Sequence, residues 1–86
     1  MALVKITPRP AKVRLDPRTT RPVTVHLDDR ELRVTGLDAV REELAAYPAE
    51  RGPRVTFLVD TDHGQASLVF DGRRRQWFVE ALDRAA

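Results

Sequence analysis

From Pro22 onward apolar and polar positions alternate: Val23, Val25 and Leu27 are interleaved with Thr24 and His26, and Leu32 and Val34 with Glu31 and Arg33. A period of two puts successive side chains on opposite faces of a strand, so the two runs predict a β hairpin. Asp28 and Asp29 lie between them, a residue type that tolerates turn geometry and bonds its own backbone. The alternation returns in the last third of the chain. Val55, Phe57 and Val59 face one way, a polar turn spans Asp60 to Gly64, and Ala66, Leu68 and Phe70 face inward again. A second turn holds Asp71-Gly72 and the triplet Arg73-Arg74-Arg75. Apolar runs separated by such turns predict a β meander. The last run fits two patterns: Trp77, Phe78, Ala81, Leu82 and Ala85 form a helical stripe, while Trp77-Phe78-Val79 has strand propensity. The Asp-Gly turn favours a strand through about Leu82, with a helical tail as the alternative.

Elsewhere the period changes. Pro8, Pro10, Pro17 and Pro22 forbid helix in the first 22 residues and limit strands there to edges or short pieces, Leu3 to Ile6 and Ala11 to Leu15. The second piece places Val13 and Leu15 inward and Lys12 and Arg14 outward. In TGLDAVREELAAYP, Leu37, Val40, Leu44 and Tyr47 recur at helical spacing with Arg41, Glu42 and Glu43 opposite. Thr35 serves as the expected N-cap and Pro48 as the stop, and AERGPR is a connector broken at Gly52-Pro53. The expected fold class is α+β: a small, mainly antiparallel β meander or open barrel of about six to seven short strands, with one helix over residues 36–47. The chain of 86 residues is read as a single domain, 1–86, with a Pro/Arg-rich N-terminal arm over 1–21. A chain this short buries only about 60 to 65% of its unfolded surface, so the core is thin.

With no cysteine there is no disulfide framework and no thiolate chemistry, which suits a reducing compartment. MALVKITPRP has no apolar run of signal-peptide length, and no stretch approaches the roughly 20 apolar residues of a membrane span, so a cytoplasmic location is expected. Thirteen Arg against two Lys, with no Asn, fits a GC-rich bacterial genome. The net charge of +2 conceals a polarised chain. Residues 1–27 carry six cations against Asp16 alone, residues 28–62 nine acids against five Arg, and residues 63–86 four Arg against three acids. Such asymmetry marks a basic face for phosphates, or an acidic surface meeting a basic one in an oligomer, or a surface paired within itself.

Candidate chemistry is sparse. Asp60, Asp62 and His63 have the right atoms for a divalent metal, but three ligands within one hairpin tip rarely converge, and turn chemistry accounts for them. His26 reads as a surface strand histidine beside Asp28 and Asp29. Ser67 has no nucleophile elbow around it, and Gly36, Gly52, Gly64 and Gly72 are isolated at breaks rather than gathered in a phosphate loop. No catalytic residue, metal or cofactor is expected, and the chain is read as a non-enzyme. The basic set remains: Lys12, Arg14, Arg18 and Arg21 from the arm, and Arg73, Arg74 and Arg75 from the last turn beside Trp77. Guanidinium forks bind phosphate and an aromatic ring stacks on an exposed base, so these are the candidate nucleic-acid-binding residues. A solvated arginine surface with Trp77 in the core is the competing reading.

The stretches ITPRP, RPVTVHLDDRELRV and FLVDTDHGQASLVFDGRRRQWFVEAL together resemble a family of small uncharacterised bacterial domains. They are similar also to the C-terminal segment of the catalytically inactive Y-family polymerase-like subunit of bacterial mutasomes. The matching positions are Pro8-Arg9-Pro10, Asp60 to Gly64, Leu68 to Phe70 and Trp77-Phe78. Such segments usually carry a stretch rich in tryptophan and tyrosine before the acidic turn, where this chain has the aromatic-poor AERGPRVTF. The resemblance implies a setting in DNA damage tolerance, no catalytic residues and no identified ligand. Two functions follow as expectations: a nucleic-acid-associated accessory in DNA repair, with single-stranded DNA or a repair-complex protein as partner, or a protein interaction or homodimerisation module.

Overall fold

The computed structural model describes residues 3–43 and 53–83. Six strands follow one another: β1 (Leu3–Leu15), β2 (Pro22–Leu27), β3 (Arg30–Glu43), β4 (Arg54–Thr61), β5 (Gly64–Asp71) and β6 (Gln76–Asp83). Each pairs antiparallel with the next, and β6 returns to β1, closing an up-and-down barrel. Closure removes most of the unpaired strand edge that a sheet this small would otherwise expose.

The turns follow from their residues. Leu27 faces Arg30 across the Asp28-Asp29 turn, with Asp28 at φ 56°, a left-handed conformation that Asp adopts more readily than most residues. The β4–β5 turn is shorter than its sequence implies, because Asp60 and Thr61 belong to the ladder and only Asp62 and His63 are left between Thr61 and Gly64. Thr61 Oγ1 stabilises it, accepting from the His63 amide at 3.0 Å and donating to the Gly64 carbonyl at 2.6 Å. In the β5–β6 turn, Asp71 Oδ1 accepts from the Arg73 and Arg74 amides at 3.0 and 3.2 Å. The final run is a strand to Asp83, as the Asp-Gly turn leads one to expect.

The expected helix and the α+β class are corrected: among the described residues the chain is all β, and residues 36–43 of the helical stretch extend β3. Its Leu44, Tyr47 and Pro48 lie outside the described residues. The cause is visible in the register. Val34, Leu37 and Val40 face Thr61, Val59 and Phe57, so β3 advances three residues for every two of β4. Irregularities between Val34 and Gly36 and between Leu37 and Ala39 each insert one extra residue. A bulge in each step thus turns the strand period of two into an apparent three, which in sequence is the spacing of a helix face. The two short N-terminal strands are likewise one strand, β1, interrupted where Lys5 to Arg9 span only Ala81 to Val79 of β6. Among the described residues, β1 pairs over its first half only with β6 and over its second half with β2, so Pro8 and Pro10 sit where no second described strand needs their missing amides.

The barrel is filled by Val25, Leu27, Leu32, Val59, Ala66, Leu68 and Val79, all buried, with Ile6, Ala11, Val13, Val34, Leu37, Phe57, Trp77 and Leu82 packed around them. These are the inward positions of the alternating runs. Arg54 and Glu80 form a half-buried ion pair between β4 and β6, and Arg9 bridges to Asp28, tying the first half of β1 to the β2–β3 turn.

Candidate functional site

Register decides which turns share an end of the barrel. Leu15 faces Pro22, and Arg54, Asp71 and Gln76 align across three strands, so the 16–21 turn and the 72–75 turn lie at one end. Leu27 faces Arg30, Thr61 faces Gly64 and Leu3 faces Asp83, so the Asp28-Asp29 and Asp62-His63 turns lie at the other. The charge polarity of the sequence therefore becomes a polarity along the barrel axis. One end carries Arg18, Arg21, Arg73, Arg74 and Arg75 against Asp16, Asp71, Glu42 and Glu43, and the other gathers Asp28, Asp29, Asp62 and Asp83 against Arg30.

The arginine end has an apolar mouth. Leu15, Thr20, Val55, Phe57, Phe70 and Trp77 line a hollow of about 210 Å³. Trp77 stands between Phe57 and Phe70, with ring centroids 5.4 and 5.1 Å away and planes tilted by 41° and 54°. Tilted pairs at this distance are favourable beyond the area they bury. Thr20 reaches the mouth because the 16–21 turn is folded tightly: Asp16 Oδ1 accepts from the Arg18 amide at 2.7 Å, the Thr20 amide donates to the Asp16 carbonyl at 2.8 Å, and Thr20 itself takes φ 57°. Asp16 and Asp71 play the same part in the two turns. Each uses its carboxylate on backbone amides, folding the turn that presents the arginines.

The sequence-expected residues divide into four groups. Arg18 and Arg21 are exposed on the first turn and Arg73 and Arg75 on the second, and the mouth lined by Thr20 and Trp77 joins the two turns, although Arg21 itself lines a separate hollow with Asp16, Thr19, Val34 and Leu37. Lys12 and Arg14 are elsewhere: they point outward from β1, opposite His26 and Thr24 of β2, on the barrel wall. Arg74 faces a separate groove with Pro8, Arg54, Asp71, Phe78 and Glu80, where two carboxylates already accompany two guanidiniums. Trp77 is half-buried and faces the interior, so it forms the floor of the mouth rather than an open platform.

Lys12 leads to a second concavity. With Pro10, Ala11, His26, Asp28 and Gln76 it lines an open cleft of about 680 Å³ on the outer wall, where β1 passes from β6 to β2. Gln76 sits between Arg75 and Trp77 in the chain, so this cleft adjoins the arginine turn. His26 Nε2 lies 3.9 Å from Glu31 Oε1 across the β2–β3 ladder. At the opposite end, Asp62 Oδ1 accepts from the Arg33 amide at 3.0 Å, a structural use of the carboxylate, while Asp60 is in β4 beside Gly36. Ser67 sits in the middle of β5 between Leu58 and Ala81.

Five mouth residues, Leu15, Thr20, Val55, Phe57 and Phe70, were not legible as a site, because each reads in sequence as a core or turn position. His26 and Gln76 were missed as cleft residues for a similar reason. The available clue was positional: Val55, Phe70 and Trp77 are the apolar residues nearest the turns at their ends of the strands. No family model, curated protein or solved structure matches this chain. Function is therefore argued from the geometry above.

Proposed function

We propose that the chain is a non-catalytic binding module that takes single-stranded nucleic acid on the arginine end of its barrel. One observation carries this reading: Thr20 of the first turn and Trp77 behind the second line the same mouth, so the two turns that bear exposed arginines flank one opening. A planar guanidinium binds phosphate oxygens through two donors at once, and exposed arginines on two neighbouring turns suit the backbone of a flexible single strand. Lys12 and Arg14 lie apart from this end on the outer wall, where Lys12 shares a cleft with His26, Asp28 and Gln76. The resemblance to the mutasome segment supports a setting in DNA damage tolerance, with a repair-complex protein as the further partner.

The test is the salt dependence of oligothymidylate binding. Four neutralised phosphates give a slope of log affinity against log salt of about −3, at roughly −0.7 per phosphate. A flat response, or no binding at low salt, removes the reading.

A second reading, a homodimerisation module, rests on the outer edge of β3. Among the described residues, the only strand paired with Gly36 to Glu43 is β4, no proline interrupts the stretch, and Val40 is 48% exposed. Unpaired edges with exposed apolar side chains are where a second strand adds. Light scattering across a concentration series decides it: a dimer lost in Val40→Lys supports the edge, and a monomer throughout excludes it.

A further inference from the structure

We infer that the apolar mouth at the arginine end is a seat for one unstacked nucleobase, so that the module prefers base-bearing single strands over a bare sugar–phosphate chain. The inference rests on the proposed nucleic-acid reading and adds to it a specific pocket and a specific chemical group.

Three features of the mouth select this occupant. The first is its lining. Leu15, Val55, Phe57, Phe70 and Trp77 offer no polar group except the Trp77 indole N–H, and the Thr20 hydroxyl is already committed, donating to the Thr19 carbonyl at 2.6 Å. Such a hollow takes a flat apolar surface by contact and stacking without reading its edges, which suits any base.

The second is charge. The two turns that flank the mouth bear exposed arginines, while Asp16 and Asp71 spend their carboxylates on turn amides, which complements an anionic ligand and disfavours a cationic one. A base is tethered to a phosphate a few bonds away, so a ring in the mouth places its phosphate at the rim.

The third is the state of the backbone around the mouth. An extended peptide would need free amides and carbonyls for a ladder. In the 16–21 turn the Asp16 amide donates to the Arg21 carbonyl at 2.9 Å and the Arg21 amide to Thr19 Oγ1 at 3.3 Å. In the second turn the Gly72 amide donates to the Pro53 carbonyl at 2.9 Å, and the Arg73 and Arg74 amides are held by Asp71. The backbone of these two turns is largely bonded within the turns, and their arginine side chains are exposed. That arrangement suits a phosphate chain contacted by side chains better than a peptide contacted by main chain.

Trp77 is the only tryptophan of the chain, so its fluorescence reports the mouth directly. Titration of the intact protein with oligothymidylate and with an abasic oligomer of equal length separates the two claims. Base-bearing DNA is expected to bind about 5-fold or more tightly, the lower bound for stacking one base on an aromatic side chain, and to change Trp77 emission, whereas the abasic oligomer binds with the same salt slope and leaves the emission unchanged. Equal affinity and equal emission change for both oligomers overturn the base seat while the phosphate reading stands, and failure of both to bind at low salt removes both. Leu15→Phe, which places a larger ring at the rim, should reduce the affinity ratio between the two oligomers. A ratio undiminished in a variant that melts like wild type would also overturn the inference.

Discussion

Of the described glycines, Gly64 has the least room for a side chain, and Gly64→Ala tests the packing of the acidic end. Gly64 has φ 101°, a conformation that side-chain-bearing residues rarely adopt. A Cβ built there would lie 2.7 Å from Asp83 Cβ and 3.0 Å from Asp83 Cγ and Oδ2. Asp83 has little room to yield, being only 5% exposed, and β6 holds it opposite Leu3. Backbone strain of about 1–3 kcal/mol adds to overpacking of about 1–3 kcal/mol, for a loss of about 2–6 kcal/mol. A domain of this length has of order 4–13 kcal/mol in all, so the loss is a large share of it. Thermal unfolding followed by circular dichroism should show Tm lowered by about 8 °C at the least. Gly36→Ala is the control: its nearest contact is the mobile Asp60 Oδ2 at 3.2 Å, and its φ is outside the left-handed region. Its stability should change by about 1 kcal/mol or less. In an Asp83→Gly background the steric part of the Gly64→Ala cost should disappear and the backbone part should remain. If Gly64→Ala and Gly36→Ala melt within about 3 °C of each other, the account of this contact is wrong.

Other outcomes follow from the same geometry. Leu68 is fully buried at the centre of the barrel, so Leu68→Ala should cost about 2–5 kcal/mol in urea unfolding. The Arg54–Glu80 pair is only 27% and 28% exposed whereas Arg9–Asp28 is 58% exposed at both partners, so Glu80→Ala should destabilise by about 1 kcal/mol and Asp28→Ala by distinctly less in the same assay. Among the arginines, Arg18→Ala and Arg75→Ala should each reduce the salt slope of oligothymidylate binding by about 0.7. Arg74→Ala should reduce it less, because Asp71 and Glu80 line the groove that Arg74 faces; an equal reduction for all three would refute the division of the triplet.

Much of the architecture was legible in the order of residues. The alternations over Val23–Leu27, Val55–Val59 and Ala66–Phe70 are strands whose inward sets are the core, because a period of two admits one geometry when one face is buried. The Asp-rich and Gly-bearing turns were legible because they depend on local backbone bonding. Two things were not. The stretch Gly36 to Glu43 looked helical because bulges inserted at Thr35 and Asp38 move Val34, Leu37 and Val40 to a spacing of three, and a bulge is a property of two strands laid side by side. The site was only half visible for the same reason: Arg18, Arg21, Arg73, Arg75 and Trp77 could be named as types, but not as neighbours. The sequence by itself determined where strands and turns occur and which side chains carry charge, since these follow from local periodicity and composition. Only the closed barrel decided that residues 16–21 and 72–75 share one end, that Arg74, Lys12 and Arg14 face elsewhere, and that Trp77 floors an apolar mouth. Antiparallel register over six strands brings together residues more than fifty positions apart, and no local pattern encodes that distance.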